Sequence, residues 1–229
     1  GDHRDLPSFP TRRSSDLQKE TLVSTVAAKL NLVADSSIQN APVAAPVGRS
    51  RAMVKIQEGC DQVCAYCIVP KVRGRERSIP PEEIIAEING RSENGCREAV
   101  LTGTQLGTYG FDLPGIDLRD LIRRVLAETS IDRLRVSSLQ AQEITHELLE
   151  LWEDPRLCPH FHIPLQSGSD TILRSMRRRY DTARFAETVE LVRKKIPDAG
   201  ITTDTIVGFP GEGARSEEHT SELQSRAYL

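Results

Sequence analysis

The chain has 229 residues, 28% of them charged, and a formal net charge of −3. This length and composition suit a soluble protein of one domain, or of one domain and a fragment of a second. This charge gives no global basic signature for nucleic acid, and no apolar stretch reaches the roughly 18–20 residues of a membrane span. An odd number of cysteines, five, with no signal-like segment argues against disulfides. We therefore expect a cytoplasmic protein without membrane contact.

The two ends of the chain look foreign to the fold. The segments 8–17 and 215–225 resemble translations of a common sequencing adapter, and neither shows the apolar periodicity of a core element. We predict that residues 1–17 and 214–229 are disordered artefacts, or otherwise genuine disordered tails. If the adapter interpretation holds, the natural gene continues beyond both ends.

Residues 18–50 are predicted to contain a helix and a linker. An apolar stripe over residues 19–33 indicates an amphipathic helix, and residues 34–50, rich in Ala, Pro and Ser, indicate a linker.

From residue 51 to residue 213, short apolar runs alternate with amphipathic helices. The predicted strands are Val54–Ile56, Ala99–Leu101, Arg133–Val136, His160–Ile163 and Ile201–Val207. One predicted helix begins at Pro80–Pro81, and a second begins after the cap Asp117. A third runs from about Glu143 to Trp152, and the last contains Phe185 to Ile196 and ends before Pro197. Strands separated by helices favour a parallel α/β sheet.

Cys60, Cys64 and Cys67 form a Cys-x3-Cys-x2-Cys triplet directly after the first predicted strand. Structural zinc usually takes four protein ligands in two separated pairs, whereas a [4Fe-4S] cluster held by three cysteines would leave one iron open to a ligand. The spacing favours the cluster. Two alternatives are a zinc site completed by Cys96, Cys158 or a histidine, and a disulfide-bonded loop. Cys96 and Cys158 themselves are interpreted as buried structural thiols.

Polar motifs follow the other predicted strands. Glycines in the run 102–110 permit close backbone approach to a ligand, although a tight turn is the simpler interpretation. Ser138 ends the third strand and either bonds a ligand or caps the strand end. His160 and His162 share a face, but no cysteine or carboxylate nearby completes a metal site. The basic runs 71–77 and 174–179 are by default solvated faces.

The segments 55–60, 66–70 and 73–78 resemble the methylthiotransferase branch of the radical S-adenosylmethionine enzymes. The resemblance runs from about Met53 to Gly211, through the further motifs 101–110, 162–169, 176–180 and 206–212. It implies a partial (β/α)6 barrel, here truncated after the fifth strand, so that residues 51–213 are an incomplete core. It also implies that the three cysteines hold a [4Fe-4S] cluster whose open iron binds the amino and carboxylate groups of S-adenosylmethionine.

The resemblance assigns further residues to the cofactor and no catalytic residue beyond cluster and cofactor. Tyr66 would lie near the adenine. Polar contacts are implied for Thr102, Gly103, Thr104, Ser138, Gln166 and Ser167, and main-chain contacts with the adenine edge for Val207 and Gly208. Either Arg177 or Arg179 would pair with the cofactor carboxylate.

The activity implied is methylthiolation of a tRNA base. The cluster would donate an electron that cleaves S-adenosylmethionine to a 5′-deoxyadenosyl radical, the radical would abstract hydrogen from the base, and a second S-adenosylmethionine would supply the methyl group. The runs 101–110 and 198–204 most resemble the subgroup acting on threonylcarbamoyladenosine at position 37 of tRNA. Alternatives are isopentenyladenosine in tRNA, an aspartate of ribosomal protein S12 or, in another class, a non-catalytic zinc-binding module.

Implied partners are tRNA and an electron donor such as flavodoxin or ferredoxin. No cysteine precedes Cys60, so the family's auxiliary cluster is expected in a missing amino-terminal domain. The fragment alone is expected not to complete methylthiolation.

Overall fold

The computed structural model describes residues 50–213, 215–216 and 218–222. The predicted helix over residues 19–33, the linker after it and the first predicted adapter segment lie outside these described residues.

Seven strands and six α-helices are found within residues 50–213. The strands are β1 (Arg51–Lys55), β2 (Gln57–Glu58), β3 (Arg77–Ser78), β4 (Glu98–Thr102), β5 (Arg133–Val136), β6 (His160–His162) and β7 (Gly200–Thr202). The α-helices are α1 (Val69–Val72), α2 (Pro81–Glu93), α3 (Leu118–Glu128), α4 (His146–Leu149), α5 (Asp170–Ser175) and α6 (Thr182–Lys195). Short 3-10 helices occupy Leu106–Thr108, Ala141–Glu143 and Glu150–Glu153.

Five strands run parallel in chain order. β1, β4 and β5 form one sheet with Val54 opposite Leu101, and β6 pairs with β7. Isolated parallel bridges, including one between Ser138 and His162, join β5 to β6. This arrangement confirms the predicted partial barrel of parallel strands. The antiparallel pair of β2 and β3 was not predicted, since two-residue strands leave no periodic signal.

The long helices form where the sequence predicts them. Pro81 opens α2, where its missing N–H is no loss, and Asp117 caps α3 by accepting from the Asp120 N–H at 3.0 Å. Their apolar stripes lie on the sheet; Ile84 and Ile88 of α2 and Leu121, Ile122 and Val125 of α3 are almost fully buried. None of the described helices combines the length and the apolar character needed to cross a bilayer.

The single helix predicted from Glu143 to Trp152 is wrong. It is divided into the 3-10 turn Ala141–Glu143, α4 and the 3-10 turn Glu150–Glu153. The Glu143 carboxylate folds back to the Gln140 N–H at 2.8 Å, and Thr145 starts α4 by accepting from the Leu148 N–H at 3.2 Å. Two caps within six residues end one helical turn and begin another.

The described residues of the second predicted adapter segment are helical, at 215–216 and 218–222. Thr220 is buried there, and its hydroxyl accepts the Gly168 N–H at 2.7 Å. The adapter origin of this segment stays a prediction.

Candidate functional site

The three-cysteine loop leaves β2 through a turn that requires glycine. Gly59 has φ +78°, and a Cβ there would lie 2.0 Å from the Arg75 carbonyl oxygen. This close approach lets the Cys60 N–H donate to the Gly74 carbonyl at 2.8 Å. Farther along the loop, the Ala65 N–H donates to the Met176 carbonyl at 3.0 Å. Two separate chain segments thus fix the loop at both ends.

All three thiols of the loop line one cavity of about 140 Å³. Cys60 is buried, and Cys64 and Cys67 are partly exposed; none is in a disulfide. The Gln62 N–H approaches the Cys60 sulfur at 3.4 Å, while burial raises the pKa of that thiol. Within the described residues, no three His, Cys, Asp or Glu side chains converge where a single metal ion would sit. Thiolates of an iron–sulfur cluster instead bind separate irons, so they need to share a cavity rather than converge on a point.

Thr104 offers the cavity a polar atom without a protein partner. It follows β4, and its Oγ1 is buried with no hydrogen bond. Buried hydroxyls are normally satisfied, so an orphaned one at a cavity wall is suited to a bound ligand. A cavity lined by three thiols and by an unsatisfied hydroxyl fits a polar cofactor.

Ser138 and Gln166 also line the cavity, from the loops after β5 and β6. Gln166 has φ +67°, an uncommon conformation for a residue with a side chain. Such backbone strain concentrates at ligand sites. Tyr66 lines the cavity as well and meets Phe209 edge-on, with the ring centroids 6.4 Å apart.

The other implied cofactor contacts do not line this cavity within the described residues. The Thr102 hydroxyl donates to the Val54 carbonyl at 3.1 Å, and Gly103 packs against Gln57. Ser167 is fully buried, and its Oγ accepts the Ser169 N–H at 3.2 Å.

The turn after β7 reaches the site through a different residue from those implied. Val207 and Gly208 are exposed, Val207 by 72%. Their neighbour Phe209 makes the contact with Tyr66 instead.

Arg178 enters the cavity, whereas the two arginines singled out in the sequence do not. Arg177 has φ +58° and, like Arg179, is exposed, so the turn directs only the middle guanidinium inward. Arg178 Nη1 lies 3.4 Å from both Cys64 Sγ and Tyr66 Oη, and the guanidinium stacks 4.8 Å from the Tyr180 ring centroid. Of the three arginines, only Arg178 lines this cavity, so the pairing expected for Arg177 or Arg179 is proposed below for Arg178.

A buried amide network behind the cavity was missed by the sequence analysis. Gln57 Oε1 accepts from the backbone N–H groups of Thr104 and Gln105, both at 2.9 Å. Gln140 Nε2 donates to Gln105 Oε1 at 2.5 Å and to Gln62 Oε1 at 3.2 Å. Of these, Gln62, Gln105 and Gln140 line the cavity. In the sequence, Gln57, Gln105 and Gln140 each follow a predicted strand. Their spacing matches no motif that would predict a site.

Glu143 anchors this network. Its carboxylate accepts from the Gln105 side-chain amide and from the Gln140 N–H. Burial raises the pKa of Glu143 to about 7. Gly107 leaves room for the carboxylate, because a Cβ there would lie 2.2 Å from the Glu143 Cδ.

The chain is similar to known proteins over most of its length. The family described as Radical SAM superfamily matches residues 54–223. A "tRNA-2-methylthio-N(6)-dimethylallyladenosine synthase" of Anaeromyxobacter dehalogenans is 43% identical over 79% of this chain, and one of Caldicellulosiruptor saccharolyticus is 44% identical over 82%. The chain spans 38% and 40% of the lengths of these two relatives.

Solved structures share the fold. The radical S-adenosylmethionine methyltransferase TsrM from Kitasatospora setae, with tryptophan and an S-adenosylmethionine analogue bound, has a TM-score of 0.62 at 15% identity, over 77% of this chain and 34% of TsrM. The cobalamin-dependent S-adenosylmethionine radical enzyme OxsB has a TM-score of 0.57 at 14% identity, over 75% of this chain and 26% of OxsB. At these identities the likeness concerns the fold alone.

Proposed function

Because the chain belongs to the Radical SAM superfamily, we propose that Cys60, Cys64 and Cys67 hold a [4Fe-4S] cluster and that the cavity beside them binds S-adenosylmethionine. The observation that carries this proposal is that all three thiols line one cavity, which is also lined by Thr104, whose hydroxyl has no hydrogen-bond partner among the described residues. Three cysteine ligands leave one iron open for the cofactor.

Different residues of the cavity would contact different parts of the cofactor. Arg178 has the charge and planar shape to pair with a carboxylate. Thr104 supplies a hydroxyl to the methionine part, and Ser138 and Gln166 supply further polar contacts. Tyr66 presents an aromatic surface to the adenine. Of the earlier assignments, Thr102, Gly103, Ser167, Val207 and Gly208 remain proposals for main-chain or indirect contacts.

Bound together, the cluster and S-adenosylmethionine supply a carbon radical able to abstract hydrogen from an unactivated position. The chain's own residues orient that cofactor and restrict the access of water. Cys60 is buried, and Gln105 and Gln140, which are hydrogen-bonded to each other, form part of the cavity wall and limit the entry of water from that side.

For the whole protein we infer methylthiolation of an N6-modified adenosine in tRNA. Both relatives are named tRNA-2-methylthio-N(6)-dimethylallyladenosine synthase, and this favours the isopentenyl-type adenosine over threonylcarbamoyladenosine as the substrate. The two relatives are more than twice as long as the matched segment, which leaves space for an auxiliary cluster in the complete protein. A low-potential electron donor of the flavodoxin or ferredoxin type completes the proposal.

The test is anaerobic reconstitution of the 229-residue chain with iron and sulfide, read by iron content and by electron paramagnetic resonance. We expect about four irons per chain and release of 5′-deoxyadenosine from S-adenosylmethionine under reduction. Cys60→Ala should abolish both, whereas the matched control Cys96→Ala, which replaces another buried cysteine outside the triplet, should retain them. Stoichiometric zinc that resists replacement by iron would reject the cluster in favour of a zinc-binding module.

The substrate is tested with the full-length gene product and tRNA carrying one modification at a time. Methylthiolation of isopentenyladenosine alone would support the inference. Methylthiolation of threonylcarbamoyladenosine or of ribosomal protein S12 would assign the protein to the corresponding alternative.

A further inference from the structure

Four arginines next to the cofactor cavity have no carboxylate partner among the described residues. They are Arg174, Arg177, Arg178 and Arg179, all within six positions. Arg174 bonds only neutral oxygens, the Asp170 carbonyl at 3.1 Å and the Thr171 hydroxyl at 3.3 Å. Unneutralised guanidiniums this close together repel one another.

Arginines elsewhere in the described chain are mostly paired. Arg97 lies 2.7 Å from Asp132, and Arg123 lies 3.1 Å from Asp120, although both arginines are well exposed. The absence of partners at residues 174–179 is therefore a local property of this surface and not a general feature of the chain.

Three of these four arginines, all but Arg177, line a shallow basin of about 550 Å³ between α5 and α6, and Arg184, which pairs with Glu187 at 3.6 Å, lines it too. Arg174, Arg178, Arg179 and Arg184 contribute to it, together with Asp170 and Asp181. Both aspartates are used by the backbone: Asp170 Oδ1 accepts the Thr182 N–H at 2.9 Å, and Asp181 Oδ1 accepts the Arg184 N–H at 2.8 Å. Their charge stabilises the start of α6 and is not paired with the guanidiniums.

The basin and the cavity beside the cysteine loop share one lining residue. Arg178 lines both, with its guanidinium between Cys64 and Tyr180. A ligand that contacts Arg178 from the basin would therefore lie next to that cavity. Guanidinium groups match phosphate oxygens in pairs of parallel hydrogen bonds.

We propose that this basin binds the phosphate backbone of the RNA substrate, with Arg174 and Arg179 contacting phosphates close to the nucleotide that reacts. The inference rests on the proposed function, and it adds the surface that holds the RNA at this domain. Phosphate contacts position a nucleic acid without reading its sequence. The basin therefore determines affinity and placement, and the modified base determines selectivity.

The experiment measures tRNA binding by the reconstituted 229-residue chain, using fluorescence anisotropy of end-labelled tRNA over a series of KCl concentrations. The test variant is Arg174→Gln with Arg179→Gln, and the matched control is Arg97→Gln with Arg123→Gln, which removes the same charge from paired surface arginines. Loss of two phosphate contacts should make the slope of log K against log[salt] less negative by about 1.5 to 2, with affinity about tenfold lower in low salt. The control should keep a slope closer to that of the wild type.

Equal slopes for the test and control variants would overturn the proposal. So would displacement of tRNA by polyglutamate at equal charge, because the basin would then bind acidic chains in general. Loss of S-adenosylmethionine binding in the test variant with an unchanged salt slope would assign these arginines to the cofactor instead. Failure of the wild type to bind tRNA while it still releases 5′-deoxyadenosine would refute the basin and leave the proposed cofactor chemistry intact.

Discussion

The carboxylate of Glu143 gives the most quantitative prediction. It accepts from the Gln105 amide and the Gln140 N–H behind the cavity, and burial raises its pKa from the usual 4.5 to about 7. The folded chain therefore keeps a proton, between these two pH values, that the unfolded chain has already released. Because the folded state binds more protons there, stability falls as the pH rises through this window and levels off above the folded pKa.

The size of the effect follows from the shift. About 2.5 pH units at about 1.4 kcal/mol each amounts to about 3.5 kcal/mol over the whole titration, of which about 3 kcal/mol is lost between pH 4.5 and pH 8. Glu143→Gln removes the titration but keeps one oxygen to accept a hydrogen bond. The free energy of unfolding of the variant should thus improve, relative to the wild type, by about 3 kcal/mol between pH 4.5 and pH 8.

Urea unfolding of both proteins under anaerobic conditions, at half-unit pH steps, measures this difference. The difference should change only inside the window and stay constant above pH 8, which is an internal control. A difference that is the same at every pH would show that the Glu143 carboxyl is not held in the protonated form by burial, and the reasoning would fail.

Three further predictions concern the loops and one helix. Gly59→Ala should lower the free energy of unfolding by at least about 3 kcal/mol and prevent cluster binding, because the strain of the positive φ and the overlap of the Cβ with the Arg75 carbonyl add up. In the control Gly95→Ala, φ is +87° but the space around the residue is open, so the same urea titration should show a loss of only about 1 kcal/mol. Thr104→Val should leave the urea midpoint within error, since the buried Oγ1 has no partner to lose, and weaken S-adenosylmethionine binding about tenfold in a calorimetric titration; unchanged affinity would remove Thr104 from the site. Asp117→Ala should lower stability by about 1–2 kcal/mol through loss of the cap of α3, and a smaller loss would mean that water replaces the cap.

The parts of the fold that were predicted correctly are those set by local pattern. The stripe Leu118, Leu121, Ile122 and Val125 defines α3 by itself, and the cap Asp117 fixes its start. The cysteine triplet is likewise local, since all three thiols come from one loop. Apolar periodicity and residue spacing describe residues that are close together in the sequence. They are enough to predict a structural feature where that feature depends only on such residues.

The choice among the arginines could not be made in this way. Arg177, Arg178 and Arg179 are chemically identical, and only the left-handed backbone of Arg177 decides that the middle one turns toward Cys64. The helix expected from Glu143 onward fails for a related reason. Glutamate favours helices, but the Glu143 carboxylate accepts the Gln140 N–H instead. Such local capping competes with the continuation of a helix.

The amide network explains how separate loops make one cavity. The carboxyl ends of parallel strands meet at one edge of the sheet, as is general for α/β ligand sites, but nearness alone does not fix the loops relative to each other. Gln57, just after β1, holds the loop after β4 through the N–H groups of Thr104 and Gln105, and Gln105 meets Gln140 after β5. Gln140 in turn donates to Gln62 inside the cysteine loop, 78 positions away. Gln140→Leu would remove the middle residue of this network and leave the buried side chains of Gln105 and Gln62 each without one hydrogen-bond partner. The loops that form the cavity walls are therefore held in place by side-chain hydrogen bonds between residues that only the completed fold brings together.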